Sequence, residues 1–206
     1  MIRTDRPVQP RSHHHQDFDL GKIDTPEEAM VMPGADLWVG LVLGPLAGRV
    51  TVYSGSEEFQ YETVPSPQKL TYRGAMNGQP FTLEGKPANP RGIQVRGETP
   101  GGAIDSLRRG GRGGFGLDGV AGAVEFSQML ALDMSGSTEK LAYLGGTIGG
   151  HKLEARAYKG EHGTVDVRGT LGDKELRQTI WQGPDQEWLI KGRVGDHHYV
   201  EVIERY

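Results

Sequence analysis

Three groups of residues carry the chemistry that this chain has to offer. Continuing strand alternation from Leu176 and Tyr199 puts Gln178 and Glu201 on the same face as those two bulky side chains. Polar groups facing a core must be hydrogen-bonded or wet. In a barrel they would line a lumen, with Glu201 as the charged anchor for a small ligand. A competing register turns Val200 and Val202 inward and Glu201 outward, and it is the preferred one.

Histidine forms the second group. Asp196, His197 and His198 fall at a hairpin tip, and His151 holds the same position in an earlier hairpin as His197. Imidazoles on neighbouring tips suit a rim metal or an acid–base pair. Strand-end histidines mostly face solvent, so no metal is expected there, and His13, His14 and His15 in a polar tail are read as solvated. The third group is "RRGGRGGFG", with Arg108, Arg109, Arg112 and Phe115. It resembles arginine-glycine segments that bind single-stranded nucleic acid by charge and stacking. A formal net charge of −4 offers no general attraction to a polyanion, so these four residues are expected to form an interaction loop for a partner subunit.

No phosphate-binding loop, nucleophile elbow, zinc-protease helix or EF-hand loop occurs. With Cys 0 there is no disulfide framework, thiolate metal site or cysteine nucleophile. No cofactor is expected, and the balance leans away from an enzyme.

The elements that must position these residues are strands. Gly 32 in 206 residues, few aromatics and a mean hydropathy of −0.51 accompany alternating apolar positions, which indicates a glycine-punctuated β protein. Gly146, Gly169 and Gly192 recur at 23-residue steps, and Gly74 and Gly97 are separated by the same step. Apolar residues stand four and two places before each glycine on its own face, from Leu70 and Tyr72 through Ala142 and Leu144 to Trp188 and Ile190. A turn pair follows at the third and fourth places: Asn77-Gly78, Pro100-Gly101, Gly149-Gly150, Gly172-Asp173 and Gly195-Asp196. The seventh place is bulky every time: Phe81, Ile104, Leu153, Leu176 and Tyr199. If the turn is tight, this residue is the glycine's cross-strand partner and lies across the space where a Cβ is missing. Gly122, with Met129 seven places on, reads as a displaced sixth copy.

The repeat, with "Tyr-x-Gly-x-apolar" at 72–76, is similar in length and glycine usage to the MORN repeat family. It lacks the repeated aromatic after the glycine, and nothing of that family's activity or lipid binding is carried over.

The expected fold is all-β: an antiparallel up-and-down meander of 23-residue β-hairpin repeats, curled into a flattened barrel or split into a two-layer sandwich. Residues 1–34 read as a polar N-terminal arm with one short helical turn, capped by Thr25 with Glu28. Residues 35–206 read as a single β-repeat domain, broken by a Gly/Arg-rich loop at 105–119. Early strands are expected near 37–43, 49–54 and 58–63. The apolar stretch 37–48 is too short to span a bilayer and is broken by Pro45. Without a signal peptide the expected location is the cytoplasm or a particle such as a virion.

Two functions fit. The leading one is a non-enzymatic structural protein, a subunit of a particle, filament or envelope that self-associates or meets a protein partner through the arm and the Gly-rich loop. The alternative is a small-ligand-binding β-barrel with Gln178 and Glu201 in its lumen, open to cyclase- or isomerase-type chemistry.

Overall fold

Tight-turn pairs set between alternating apolar runs produce antiparallel ladders wherever the repeat predicts them. The computed structural model describes residues 48–54, 57–66, 69–88 and 92–206. Fourteen strands follow within them: β1 (Gly48–Ser54), β2 (Glu57–Pro65), β3 (Leu70–Met76), β4 (Gln79–Ala88), β5 (Gly92–Thr99), β6 (Gly102–Gly111), β7 (Gly114–Ala121), β8 (Val124–Leu132), β9 (Lys140–Ile148), β10 (His151–Lys159), β11 (Val165–Leu171), β12 (Lys174–Gln182), β13 (Trp188–Val194) and β14 (His197–Arg205). The arm at 1–34 with its helical turn, the strand expected at 37–43 and the histidines at 13–15 lie outside the described residues.

Each strand pairs with its sequence neighbour, and β14 returns to pair with β1 from Gly48 opposite Arg205 to Ser54 opposite Tyr199. The sheet therefore closes, and the barrel forms instead of the two-layer sandwich. A round barrel of this many strands would enclose a channel. Here the inward side chains from Val50 to Ile203 form one contiguous cluster, so the cross-section must be collapsed onto its own contents.

The repeat register is as the turn chemistry dictates. Gly74 pairs with Phe81, Gly97 with Ile104, Gly146 with Leu153, Gly169 with Leu176 and Gly192 with Tyr199. Asn77 and Gly78, with φ 49° and 78°, supply the two left-handed residues of a primed hairpin turn. What fills the space above a glycine differs between copies. A Cβ on Gly192 would meet Tyr199 Cζ at 2.0 Å, so there the partner's ring does lie across the gap, and one on Gly74 would meet both the Gln60 carbonyl oxygen on β2 at 2.1 Å and Phe81 Cζ at 2.5 Å. At Gly169 the neighbour is not Leu176. A Cβ there would fall 2.0 Å from the carbonyl oxygen of Glu154 and 2.4 Å from Ala155 Cα on β10, so glycine permits close strand approach.

Two expectations are corrected. Gly122 lies in the β7–β8 turn, and the glycine of that repeat is Gly119, which pairs with Phe126. Met129 is 50 % exposed on the outer wall. The 105–119 segment is not a loop. It is a β6–β7 hairpin closed by a turn at 112–113 and paired from Ile104 opposite Ala121 to Gly111 opposite Gly114. A ladder on either side supplies the backbone partners a loop would have lacked.

Many of the ion pairs lie on the outside. Lys69 pairs with Glu84, Arg96 with Asp105, Arg193 with Glu175, and Arg49 with Glu62. This is the reverse of the apolar-out, polar-in pattern of barrels that span bilayers. No helix among the described residues is long and apolar enough to cross a membrane.

Candidate functional site

The inner face of each repeat continues two and four places beyond the bulky seventh residue. In β12 and β14 this brings Gln178 and Glu201 inside, both buried, Glu201 with 0 % exposure. The preferred register with Val200 and Val202 inward is thereby overturned, because β14 is pinned from both sides: Glu201 sits opposite Ile190 on β13 and opposite Val52 on β1, both core residues.

Around these residues the wall is tightly filled. Gln178 Nε2 donates to the Tyr199 hydroxyl at 2.5 Å, and the Tyr199 ring covers Gly192. Burial raises the Tyr199 phenol above its ordinary range; the Gln178 hydrogen bond opposes that shift and the charge of Glu201 reinforces it. Beside Tyr199 on β1, the buried Ser54 hydroxyl has no hydrogen-bond partner among the described residues. Gln178 and Glu201 thus belong to a closed polar patch in the barrel wall.

The same inner position in other repeats is polar as well. Ser106 on β6 and Gln128 on β8 stand nine residues after Gly97 and Gly119, as Gln178 and Glu201 do after Gly169 and Gly192, and both are 3 % exposed. Each of Ser106, Gln128 and Gln178 lies opposite the glycine of the following repeat: Gly119, Gly146 and Gly192. The missing Cβ leaves lateral room for a polar side chain at that height. The signal for Ser106 and Gln128 in the sequence is the same nine-residue offset, counted from Gly97 and Gly119.

The interior retains space on the opposite side. A cavity of about 30 Å³ lies among Phe59, Tyr61, Tyr72, Leu83, Ser106 and Arg108, with Val95, Ile104, Ala121 and Phe126 completing its wall. That is room for one or two water-sized groups. Its origin is a run of short side chains across four adjacent strands, Gly85, Val95, Ser106 and Gly119 in one register row. The rings around it hold their positions by mutual contact: Phe59 stacks on Phe81 at 5.4 Å, and Tyr61 meets Tyr72 edge-on at 5.9 Å.

Comparison with protein-family models, with curated proteins and with solved structures finds no match to this chain. The site is therefore read from its own geometry.

Arg108 is the residue that the hairpin reassigns. Opposite Ile93 on one side and Leu117 on the other, it faces inward on β6, two residues beyond Ser106, and its guanidinium lies 5.2 Å from the centroid of Tyr72. The remaining residues of the expected interaction loop scatter. Arg109 is on the outer wall, paired with Asp118; Arg112 is in the turn; Phe115 packs against the core opposite Leu130. They do not form one surface. The histidines also stay apart. His151 is exposed beside the β9–β10 turn, His197 stands at the rim of β14, and His198 lies opposite Arg193 on the other face. No group of three or more His, Asp or Glu able to hold a metal ion occurs among the described residues.

Proposed function

We propose that this protein is a small-ligand-binding β-barrel whose ligand enters the cavity between β2 and β8. The observation that carries this reading is the convergence, on one cavity, of an aromatic and aliphatic wall with the Ser106 hydroxyl, the phenols of Tyr61 and Tyr72 and the Arg108 guanidinium. Ligand sites have this composition: mostly apolar lining and a few polar groups that fix orientation. Gln178 and Glu201 enter the reading as supports of the opposite wall, since neither lines the cavity.

The structural-subunit reading has less behind it. One of its two contact elements, the Gly/Arg loop, is part of the barrel wall. The other, the arm at 1–34, lies outside the described residues.

Native mass spectrometry of the full chain, purified without denaturant and compared with the denatured mass, tests the proposal. A small adduct lost on denaturation, or a rise in melting temperature with members of a small-molecule panel, is expected, since a ligand that binds only the folded state stabilises it by mass action. A bare chain whose melting temperature no panel member moves would sink the reading.

A further inference from the structure

We propose that the outer wall of β10 to β13 binds a short stretch of single-stranded nucleic acid along a ladder of arginines. The ladder comes from the register: Arg156 lies opposite Arg168, Arg168 opposite Arg177, and Arg177 opposite Arg193. Their strand neighbours Ala155, Ala157, Val167, Leu176 and Val194 are buried inside, so all four guanidinium groups project outward. Other rows of the outer wall alternate in sign: Glu62 stands between Arg49 and Arg73, and Arg96 between Glu84 and Asp105. Like charges directly opposite one another on a sheet are destabilising. Three such pairs in succession weaken the free barrel, and an anion lying along them would offset that cost.

Positive charge on the ladder is in excess. Arg177 and Arg193 share the single carboxylate of Glu175, at 2.7 and 2.6 Å, and Arg168 is 3.8 Å from Asp166. Glu154, beside Arg156, is held by Lys152 at 2.9 Å. Exposed pairs of this kind are weak and exchange readily for another anion. The stripe is one arginine wide, with Glu154 and Glu175 in the row on one side and Asp166 in the row on the other. A bilayer would press its anionic plane onto those carboxylates as well, whereas a single strand of phosphates follows the stripe. From Arg156 to Arg193 the ladder is about 14 Å long, room for about three to five phosphates of one strand. Tyr143 stands opposite Arg156 at one end, its ring lying over Gly145 and 36 % exposed. An open ring beside guanidinium groups is a surface on which a base stacks, and an acidic peptide has no use for it. The formal net charge of −4 opposes a polyanion at long range, so binding is expected to be modest and steeply dependent on salt.

The test is fluorescence anisotropy of labelled oligothymidine and oligouridine with the full chain, between about 50 and 200 mM sodium chloride. Affinity is expected to fall about 20-fold across that range, the loss produced by releasing the counterions of about three phosphates. Arg168→Gln should weaken binding and lower the salt slope by about 0.7, while Arg96→Gln on β5 should change neither. Tyr143→Ala should cost about fivefold or more with the slope intact. Arg168→Glu turns two like-charge pairs into opposite ones, so it should melt no lower than the parent and yet bind no oligonucleotide. Oligonucleotides that fail to bind at the lowest salt, or that bind equally well after Arg168→Glu, overturn the proposal. A glutamate peptide of equal charge that competes as well as oligothymidine, with Tyr143→Ala having no effect, assigns the stripe to acidic protein segments and overturns it too. Tighter binding to vesicles containing phosphatidylserine than to either oligonucleotide does the same.

Discussion

The two walls of this barrel use the same repeat and reach opposite results. In the wall formed by β9 to β14, Leu144, Leu153, Leu176, Ile190 and Tyr199 are wholly buried. Runs of short residues there are brief and bounded by long side chains: Ala142, Ala157 and Val167 lead to Gln178, then to Gly192 beneath Tyr199. In the wall formed by β2 to β8, Gly85, Val95, Ser106 and Gly119 follow one another across four strands, and what reaches over the Gly85 end of that row are Ile93 and Tyr72, each 3.1 Å from where a Gly85 Cβ would stand. What separates filled wall from cavity is thus the order of side-chain sizes across strands, and the glycine count along them does not decide it.

The comparison is broken most directly in the filled wall. Gly169→Val would drive a branched side chain into the Glu154 carbonyl and Ala155, and a loss of about 3 kcal/mol is expected by overpacking. Urea denaturation measures it; a midpoint equal to the parent's would show that β10 and β11 can part freely, contrary to the close approach described above. Tyr199→Phe removes the acceptor of the Gln178 amide in a buried setting, for an expected loss of about 1–2 kcal/mol in the same assay.

Alkaline pH probes the same wall without mutation. Tyr199 and Tyr206 are both raised, chiefly by burial, Tyr206 to about 12. A phenol raised on folding stabilises the fold fully below its unfolded value near 10 and loses that contribution as pH climbs toward the folded value. Stability should therefore begin to fall above about pH 10. In a spectrophotometric titration Tyr206→Phe should remove a late-ionising phenol, and the Tyr199 phenolate should appear only as the barrel unfolds. Early ionisation of every tyrosine would contradict the closed packing around Tyr199.

The smallest effect belongs to the roomy wall and sharpens the contrast. A Cβ at Gly85 would meet Ile93, Tyr72 and Leu70 at 3.1–3.2 Å, tight but against side chains able to give. Gly85→Ala should cost less than about 1 kcal/mol. Gly192→Ala, against the Tyr199 ring at 2.0 Å, should cost clearly more. Equal thermal shifts for the two alanines would remove the distinction between the walls.

Much of the ladder is legible in the sequence because its information is local. A tight turn and a fixed offset place Gly192 opposite Tyr199 and Gly74 opposite Phe81 before any long-range contact is known. Legibility fails at "RRGGRGGFG", where low complexity hides an alternation that runs Ile104, Ser106, Arg108 on one face. Extending two and four places beyond Ile104 would have turned Arg108 inward. The cavity itself is not legible. It depends on Phe59, Tyr72 and Phe126, far apart in the chain, meeting across a closed sheet, and no local rule states which row of residues will face which. The same holds for Glu201: its flanking valines made the wrong register attractive, and only pairing with both neighbours decides it.

Closure of β14 onto β1 has an arithmetic consequence. An up-and-down meander returns antiparallel to its first strand only when the number of strands is even, and each 23-residue unit adds a hairpin, two strands at a time. Gain or loss of a whole unit therefore preserves parity, the inward phase of every side chain and the closing ladder, whereas gain or loss of one strand would leave the last edge running parallel to the first. The circumference of such a barrel is quantised in hairpins, so duplication and deletion of a repeat are the changes of size that this architecture can undergo and still shut.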